Sequence, residues 1–169
     1  MASLDEIADQ VKSGTLIEVP LRRLRIPDYR RYIYVSPEID KELRDRSDEP
    51  CFRKLSAQFQ NFITGQDVPV IVTPPPHKKA EWARLQPPGD EIWESRVLAV
   101  TPQLRVLGRF AAKDCFVAFN LYDYELKGKK AWNPAKARCQ ADWDRIFPKI
   151  SPVFGLSIHD YLTTNFTII

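Results

Sequence analysis

Arginine side chains recur at strand spacing in the middle of the chain, where they could form a phosphate-binding site. Arg105 and Arg109 lie four residues apart, so a strand over residues 104–111 places both on one face. Arg96 lies in the strand predicted before it, and we interpret the nearby Glu94 as its ion-pair partner rather than as a general base. Guanidinium forks bind phosphate bidentately and stabilise the charge that builds on a phosphodiester during cleavage.

Groups that could transfer protons follow the third predicted strand. A tyrosine or lysine serves as acid or base when its pKa is shifted, and Tyr124 and Lys127 are placed for that role. Such a set suffices for metal-independent RNA cleavage, in which the ribose 2′-OH is the nucleophile. The predicted catalytic residues are Arg105, Arg109, Tyr124 and Lys127, and the predicted RNA- and phosphate-binding residues are Arg96, Lys129 and Lys130. The alternative is a row of salt-bridged arginines on an exposed sheet.

Other kinds of site find no support in the sequence. The only histidines are His77 and His159, and no His or Cys spacing typical of a metal site is present. None of the six glycines forms a phosphate-binding loop, and there is no Gly-x-Ser-x-Gly elbow. We therefore expect neither a metal nor a cofactor. Cys51, Cys115 and Cys139 are odd in number and widely spaced, which favours reduced thiols in or near the core of a cytosolic protein.

Three strands are predicted to carry these residues, over residues 92–99, 104–111 and 115–122. Their short connections indicate an antiparallel meander. Leu104, Val106 and Phe110 share one side of the second strand, which we take to be the core face. The opposite side, with Arg105 and Arg109, is then expected to be an open face of the sheet.

Helices are predicted before and after the meander. Ser3 to Glu6 form a capping-box pattern that begins a short N-terminal helix. A strand over residues 31–35 leads through Ser36 and Pro37 into a helix ending near Arg46, and apolar spacing predicts a second helix over 51–64. Residues 77–85 are predicted as one or two helical turns. A further helix is predicted over 133–147, with its apolar stripe at Ala135, Cys139, Trp143 and Ile146.

Composition and charge limit the cellular setting and the partners. The chain of 169 residues is 44% hydrophobic and carries a formal charge of +3. No apolar stretch is long enough to span a membrane, and the acidic N-terminus lacks an apolar signal region, so we expect a cytoplasmic protein that does not bind membranes. Basic clusters at 21–31 and 126–149 indicate an anionic partner such as RNA, DNA or an acidic protein, or else a solvated basic face.

Three segments carry a family resemblance. They are IWESR at 92–96, PQLRVLGRF at 102–110 and DCFVAF at 114–119. They are similar to the "lWElR … yRvly … vvll" pattern of the RelE/ParE toxin superfamily of bacterial toxin–antitoxin systems. Arg96 matches the arginine that ends the first meander strand in that family. Arg105 matches the arginine that opens the next strand and contributes to catalysis in ribonucleolytic members.

The resemblance covers about residues 32–124 and implies a fold and a division of the chain. The implied fold class is α+β, with a strand and two helices packed on an antiparallel meander and a C-terminal helical extension. We divide the chain into an N-terminal helix and arm (1–30), a RelE-like core (31–125), and a basic loop, helix and packed tail (126–169).

The resemblance also implies an activity and a partner. The expected function is the toxin component of a toxin–antitoxin system, an mRNA endoribonuclease whose partners are a cognate antitoxin and mRNA or the ribosome. One alternative is a non-enzymatic toxin that blocks a macromolecular target such as DNA gyrase. Another is a prophage or accessory domain whose sheet face binds protein. The sequence does not predict an oligomeric state.

Overall fold

The computed structural model describes residues 2–22, 30–72, 80–124 and 126–169. Within these ranges the chain forms four α-helices, eight β-strands and two short 3-10 turns. The helices are α1 (Leu4–Lys12), α2 (Pro37–Asp45), α3 (Pro50–Ile63) and α4 (Gly128–Ile146). The strands are β1 (Ile17–Glu18), β2 (Tyr32–Val35), β3 (Val68–Ile71), β4 (Trp82–Arg84), β5 (Trp93–Val97), β6 (Leu104–Ala112), β7 (Cys115–Tyr122) and β8 (Phe166–Ile168), and the 3-10 turns are Pro88–Asp90 and Ile158–Asp160.

All eight strands belong to one mixed sheet with the order β1-β2-β7-β6-β5-β4-β3-β8. The strands from β4 to β7 are antiparallel neighbours, which confirms the predicted meander at the centre of the sheet. β2 lies parallel to β7, and β3 lies parallel to both β4 and β8. The chain is therefore a mixed α/β protein, compatible with the predicted α+β class.

Helices cover both faces of this sheet. α2 and α3 pack on one face, where Ile39 and Phe59 are buried together with Val106 of β6. On the opposite face α4 and α1 pack, and Trp143 is buried together with Leu107. None of the helices in the described ranges has the length and apolar character needed to cross a membrane.

The central strand β7 shows why two helical layers are present. Every residue of this strand except Leu121 is buried. Phe116 contributes to the core beneath α2 and α3, and Val117 contributes to the core beneath α4. A continuous apolar run without polar alternation is typical of a strand that is covered on both faces.

The predicted starts of α1 and α2 are confirmed. The Ser3 hydroxyl accepts a hydrogen bond from the backbone N–H of Glu6 at 3.2 Å, and the Glu6 carboxylate accepts one from the Ser3 N–H at 2.7 Å. The Ser36 side chain accepts from the N–H of Ile39, and Pro37 occupies the first position of α2. These bonds satisfy N–H groups that have no partner within the helix.

Helix α4 begins five residues earlier than predicted and contains Pro134. Pro134 is the seventh residue of α4, inside the helix, where its missing N–H removes one backbone hydrogen bond. The predicted apolar stripe is confirmed, since its four members are buried against the sheet: Ala135, Cys139, Trp143 and Ile146.

The prediction of helical turns over residues 77–85 is wrong for residues 82–84, which form β4, while residues 77–79 lie outside the described ranges. The ring centroid of Trp82 lies 4.6 Å from that of Phe62 and 5.1 Å from that of Phe116. Pairing with β5 and packing against Phe62 and Phe116 involve residues outside this segment. These contacts outweigh the local preference for helix.

The C-terminal tail packs on the body, as predicted, and a buried arginine holds it there. Arg31, assigned from the sequence to a surface basic cluster, is fully buried. Its guanidinium donates to the carbonyl oxygens of Gln66 at 3.0 Å, Asn165 at 2.8 Å and Thr164. The tail then adds β8 beside β3, a strand that the sequence did not predict.

Substitution of Gly108, which lies at a β-bulge between β6 and β7, is expected to destabilise the fold. A Cβ atom there would lie 2.1 Å from the carbonyl oxygen of Val117 and 2.6 Å from the Phe116 ring. We expect Gly108→Ala to lower the free energy of unfolding by about 3 kcal/mol in urea titrations, because the backbone must shift. Gly89→Ala, whose Cβ would meet no atom within 4 Å, is the control. An equally stable Gly108→Ala protein would contradict this packing.

Candidate functional site

A cavity of about 330 Å³ lies between the start of α4 and strands β4 to β6. Its volume falls within the range typical of small-ligand sites. Two of the predicted arginines and several residues from neighbouring elements form its walls. The lining residues are Arg84, Leu85, Gln86, Glu94, Arg96, Arg105, Trp132 and Lys136.

Arg105 enters this cavity from β6. Its Nη1 lies 2.6 Å from Oε2 of Glu94, and its guanidinium carbon lies 5.3 Å from the centroid of the Trp132 ring. The side chain is 16% exposed. The prediction that Arg105 stands on an open sheet face is therefore wrong, because α4 covers that face and brings Trp132 over the guanidinium.

Arg96 holds Glu94 from the other side. Its Nε and Nη2 donate to the carbonyl oxygen of Ala80 at 3.0 and 2.7 Å, and Nε lies 3.6 Å from Oε1 of Glu94. The ladder places Arg96 opposite Arg105 and Glu94 opposite Leu107, so these side chains share one face of the sheet. The predicted ion pair between Glu94 and Arg96 is confirmed.

Glu94 is the acidic centre of the cavity, and its side chain is 2% exposed. Burial raises the pKa of this carboxyl group, while the charges of Arg105 and Arg96 and the hydrogen bond from Arg105 oppose the rise. Burial also lowers the pKa of Arg96. A carboxyl group with a raised pKa inside a cavity is a candidate acid or base.

Lys136 closes the cavity from α4. Its Nζ donates to the carbonyl oxygen of Gln86 at 2.7 Å and lies 4.0 Å from Oδ2 of Asp90. Trp132 and Lys136 are four residues apart, so they lie on the same side of the helix. The sequence shows that spacing, but it does not show that α4 packs on β6, and only that packing places both side chains in the cavity wall.

Arg109 does not join this group. It is buried, and its Nη2 donates to the carbonyl oxygen of Asp90 and to Oε1 of Gln140 on α4. Its guanidinium carbon also lies 5.7 Å from the centroid of the Trp143 ring. The expectation of an open face is wrong for Arg109 as well, because here it connects the sheet to the covering helix.

The other predicted site residues lie outside the cavity walls. Tyr124 is 59% exposed and lines a separate depression with residues 101–103 and Asp123. Lys127 precedes α4, and Lys129 and Lys130 lie exposed in its first turn. The structure thus brings together Arg96 and Arg105 and leaves Tyr124 and the three lysines elsewhere.

The described residues contain neither a reactive cysteine nor a cluster of metal ligands. All three cysteines are free and buried, as predicted. Burial raises the pKa of Cys115 and of Cys139 to about 12, so neither is a ready nucleophile. Among the residues that the structure describes, no group of three or more His, Cys, Asp or Glu side chains is placed to hold a metal ion.

Comparison with protein-family models, with curated proteins and with solved structures finds no match to this chain.

Because the pKa of Glu94 is raised, its contribution to folding stability is expected to decrease as pH rises, and this can be tested. The unfolded chain has a glutamate pKa of about 4.3. Because the folded value lies above it, the folded protein favours the protonated carboxyl. As pH rises from about 4.3 through the folded pKa, the wild type is expected to lose stability relative to Glu94→Gln, which does not titrate. Urea unfolding of both proteins across this window measures the difference.

The opposite trend would have a clear meaning. If the wild type gained stability over Glu94→Gln with rising pH, the two arginines would outweigh burial and the pKa of Glu94 would lie below its ordinary value.

Proposed function

We propose that this chain is a RelE-like toxin that cleaves RNA without a metal ion, with its active site in the cavity around Glu94 and Arg105. The observation that carries the proposal is the combination of a buried carboxyl group, three arginines, a lysine and a tryptophan ring around one cavity of about 330 Å³. These groups supply an acid or base, phosphate contacts and a surface for stacking a base.

The order of elements supports the toxin part of the proposal. A strand (β2) and two helices (α2 and α3) precede the antiparallel strands β5 to β7, and strands β3 and β4 lie between α3 and β5. Apart from these two strands, this is the order of elements that underlies the resemblance to the RelE/ParE superfamily, with the arginines at 96 and 105. Both arginines of the resemblance line the cavity.

The proposed reaction uses the ribose 2′-OH as nucleophile. The Glu94 carboxylate takes the 2′-OH proton, the 2′-oxygen bonds to phosphorus, and the bond from phosphorus to the 5′-oxygen breaks. Lys136 gives a proton to the leaving oxygen, so the products are a 2′,3′-cyclic phosphate and a 5′-hydroxyl. Arg105 stabilises the charge that develops on the phosphoryl oxygens, and Arg96 keeps Glu94 in position.

The exposed lysines fit a partner role better than a catalytic one. Lys127, Lys129 and Lys130 lie together at the start of α4, outside the cavity. An acidic segment of a cognate antitoxin that binds them would lie over the helix carrying Trp132, close to the cavity mouth. This assignment replaces the proton-transfer role first expected for Lys127.

A non-enzymatic toxin that blocks a macromolecular target such as DNA gyrase is the second candidate. It is favoured by the pairing of Arg105 with Glu94 at 2.6 Å, since a guanidinium already bound to a carboxylate must exchange partners before it binds phosphate. In that case the exposed surface with Tyr124 and the lysines would contact the target.

Induced expression with mapping of RNA 5′ ends tests the nuclease proposal. We expect wild-type expression to arrest growth and to produce new 5′-hydroxyl ends. Arg105→Ala and Glu94→Gln are each expected to reduce cleavage about 100-fold, the usual loss when one group that stabilises the transition state is removed. Arg44→Ala, an exposed arginine on α2 paired with Asp40, is the control and is expected to retain full activity.

Purified protein distinguishes the candidates further. Cleavage of a defined RNA in the absence of ribosomes is expected to persist in EDTA. Growth arrest with intact RNA would refute the nuclease and favour the target-blocking toxin, whereas harmless expression of the folded wild type would count against both.

A further inference from the structure

A second cavity, of about 310 Å³, adjoins the first along the same side of α4. It is lined by Asp90, Ile92, Asn133, Lys136, Ala137 and Gln140. Lys136 is the residue that the two cavities share. The two cavities therefore meet at Lys136, between residues 85–92 and α4, and we refer to the pair of cavities as the groove.

The ammonium group of Lys136 stands at the junction of the two spaces. Its Nζ bonds to the Gln86 carbonyl on the side of the first cavity and lies 4.0 Å from the Asp90 carboxylate on the side of the second. Its side chain is 17% exposed. A positive charge between two cavities of similar volume is placed to contact a phosphate that joins two nucleosides.

A buried arginine supports the second cavity from below. Arg109 is 3% exposed and donates both to the Asp90 carbonyl oxygen and to Oε1 of Gln140. The Gln140 amide in turn donates to Asp144 at 2.9 Å. These bonds fix the loop and the helix at a set separation. Arg109 Nε finds no hydrogen-bond partner among the described residues.

Two polar side chains of the second cavity remain available to a ligand. Asn133 is exposed and its side-chain amide bonds to none of the described residues. The Asp90 carboxylate is 42% exposed, and its nearest charged partner is Lys136. A carboxylate accepts from an exocyclic amino group, and an amide donates to a neighbouring ring nitrogen.

We propose that this groove binds two successive nucleotides of a single strand, with Lys136 on the phosphate between them and Asp90 and Asn133 selecting the second base. The favoured bases are those that carry an amino group beside a ring acceptor, such as adenine and cytosine, and uracil is disfavoured because it lacks both. This inference rests on the proposed function for the first nucleotide. It adds a second subsite and a source of sequence preference.

Binding of 2′-O-methyl dinucleotides, which lack the nucleophile, tests the second subsite without cleavage. Isothermal titration calorimetry with the full chain would compare 2′-O-methyl UpA, UpC and UpU with a 2′-O-methyl uridine 3′-phosphate. We expect UpA and UpC to bind at least about tenfold more tightly than UpU and than the mononucleotide. In Asn133→Ala this preference is expected to vanish, while mononucleotide affinity is unchanged.

Control variants separate the two proposals. Arg145→Ala, an exposed residue late in α4, is expected to keep all affinities. If the mononucleotide binds in an Arg105-dependent way and dinucleotides gain nothing, the second subsite is refuted and the proposed function stands. If Arg105→Ala changes no affinity, both are refuted. Equal preference in wild type and in Asn133→Ala would show that these side chains do not read the base.

Discussion

The central strand β7 buries apolar side chains on both faces, and the layered architecture follows from that property. β7 buries Phe116 toward α2 and α3 and Val117 toward α4. A sheet of this kind must be covered on both sides, since leaving either face in water would expose large side chains such as Phe119. Helix α4 is therefore part of the fold, and the side chains on that face of β6, including Arg105 and Arg109, lie beneath it.

This constraint determines the state of the arginines. A buried charge is tolerated only when it is paired and hydrogen-bonded, and each arginine meets that requirement differently. Arg105 pairs with Glu94 beneath Trp132, Arg96 binds a backbone carbonyl and Glu94, and Arg109 connects the sheet to Gln140. Trp132 and Lys136, the fifth and ninth residues of α4, complete the walls of the cavity that Arg105 and Glu94 line from the sheet.

Local sequence signals predicted most helices and strands correctly. They failed where contacts with residues outside the segment determine its secondary structure. The capping pattern at Ser3, the junction at Ser36 and the stripe through Trp143 each depend on neighbours within a few residues, and all were confirmed. Residues 82–84 were predicted as helical, but they form a strand because they pair with β5 and because Trp82 packs on Phe116, which is distant in sequence. Of the candidate site, the sequence indicated Arg96 and Arg105, but it did not indicate Trp132 or Lys136.

By itself, the sequence determined the period-2 alternation that places Arg105 and Arg109 on one face of β6, since side-chain direction in a strand is fixed by the backbone. It also contained the apolar run over residues 115–119 of β7, a sign that both faces are covered. Only the tertiary structure decided what those arginines meet, because their partners come from Glu94 on β5 and from α4, which lies more than twenty residues further along the chain. Packing of α4 on an apolar face separates the two arginines, placing Arg105 in a cavity and Arg109 in the core.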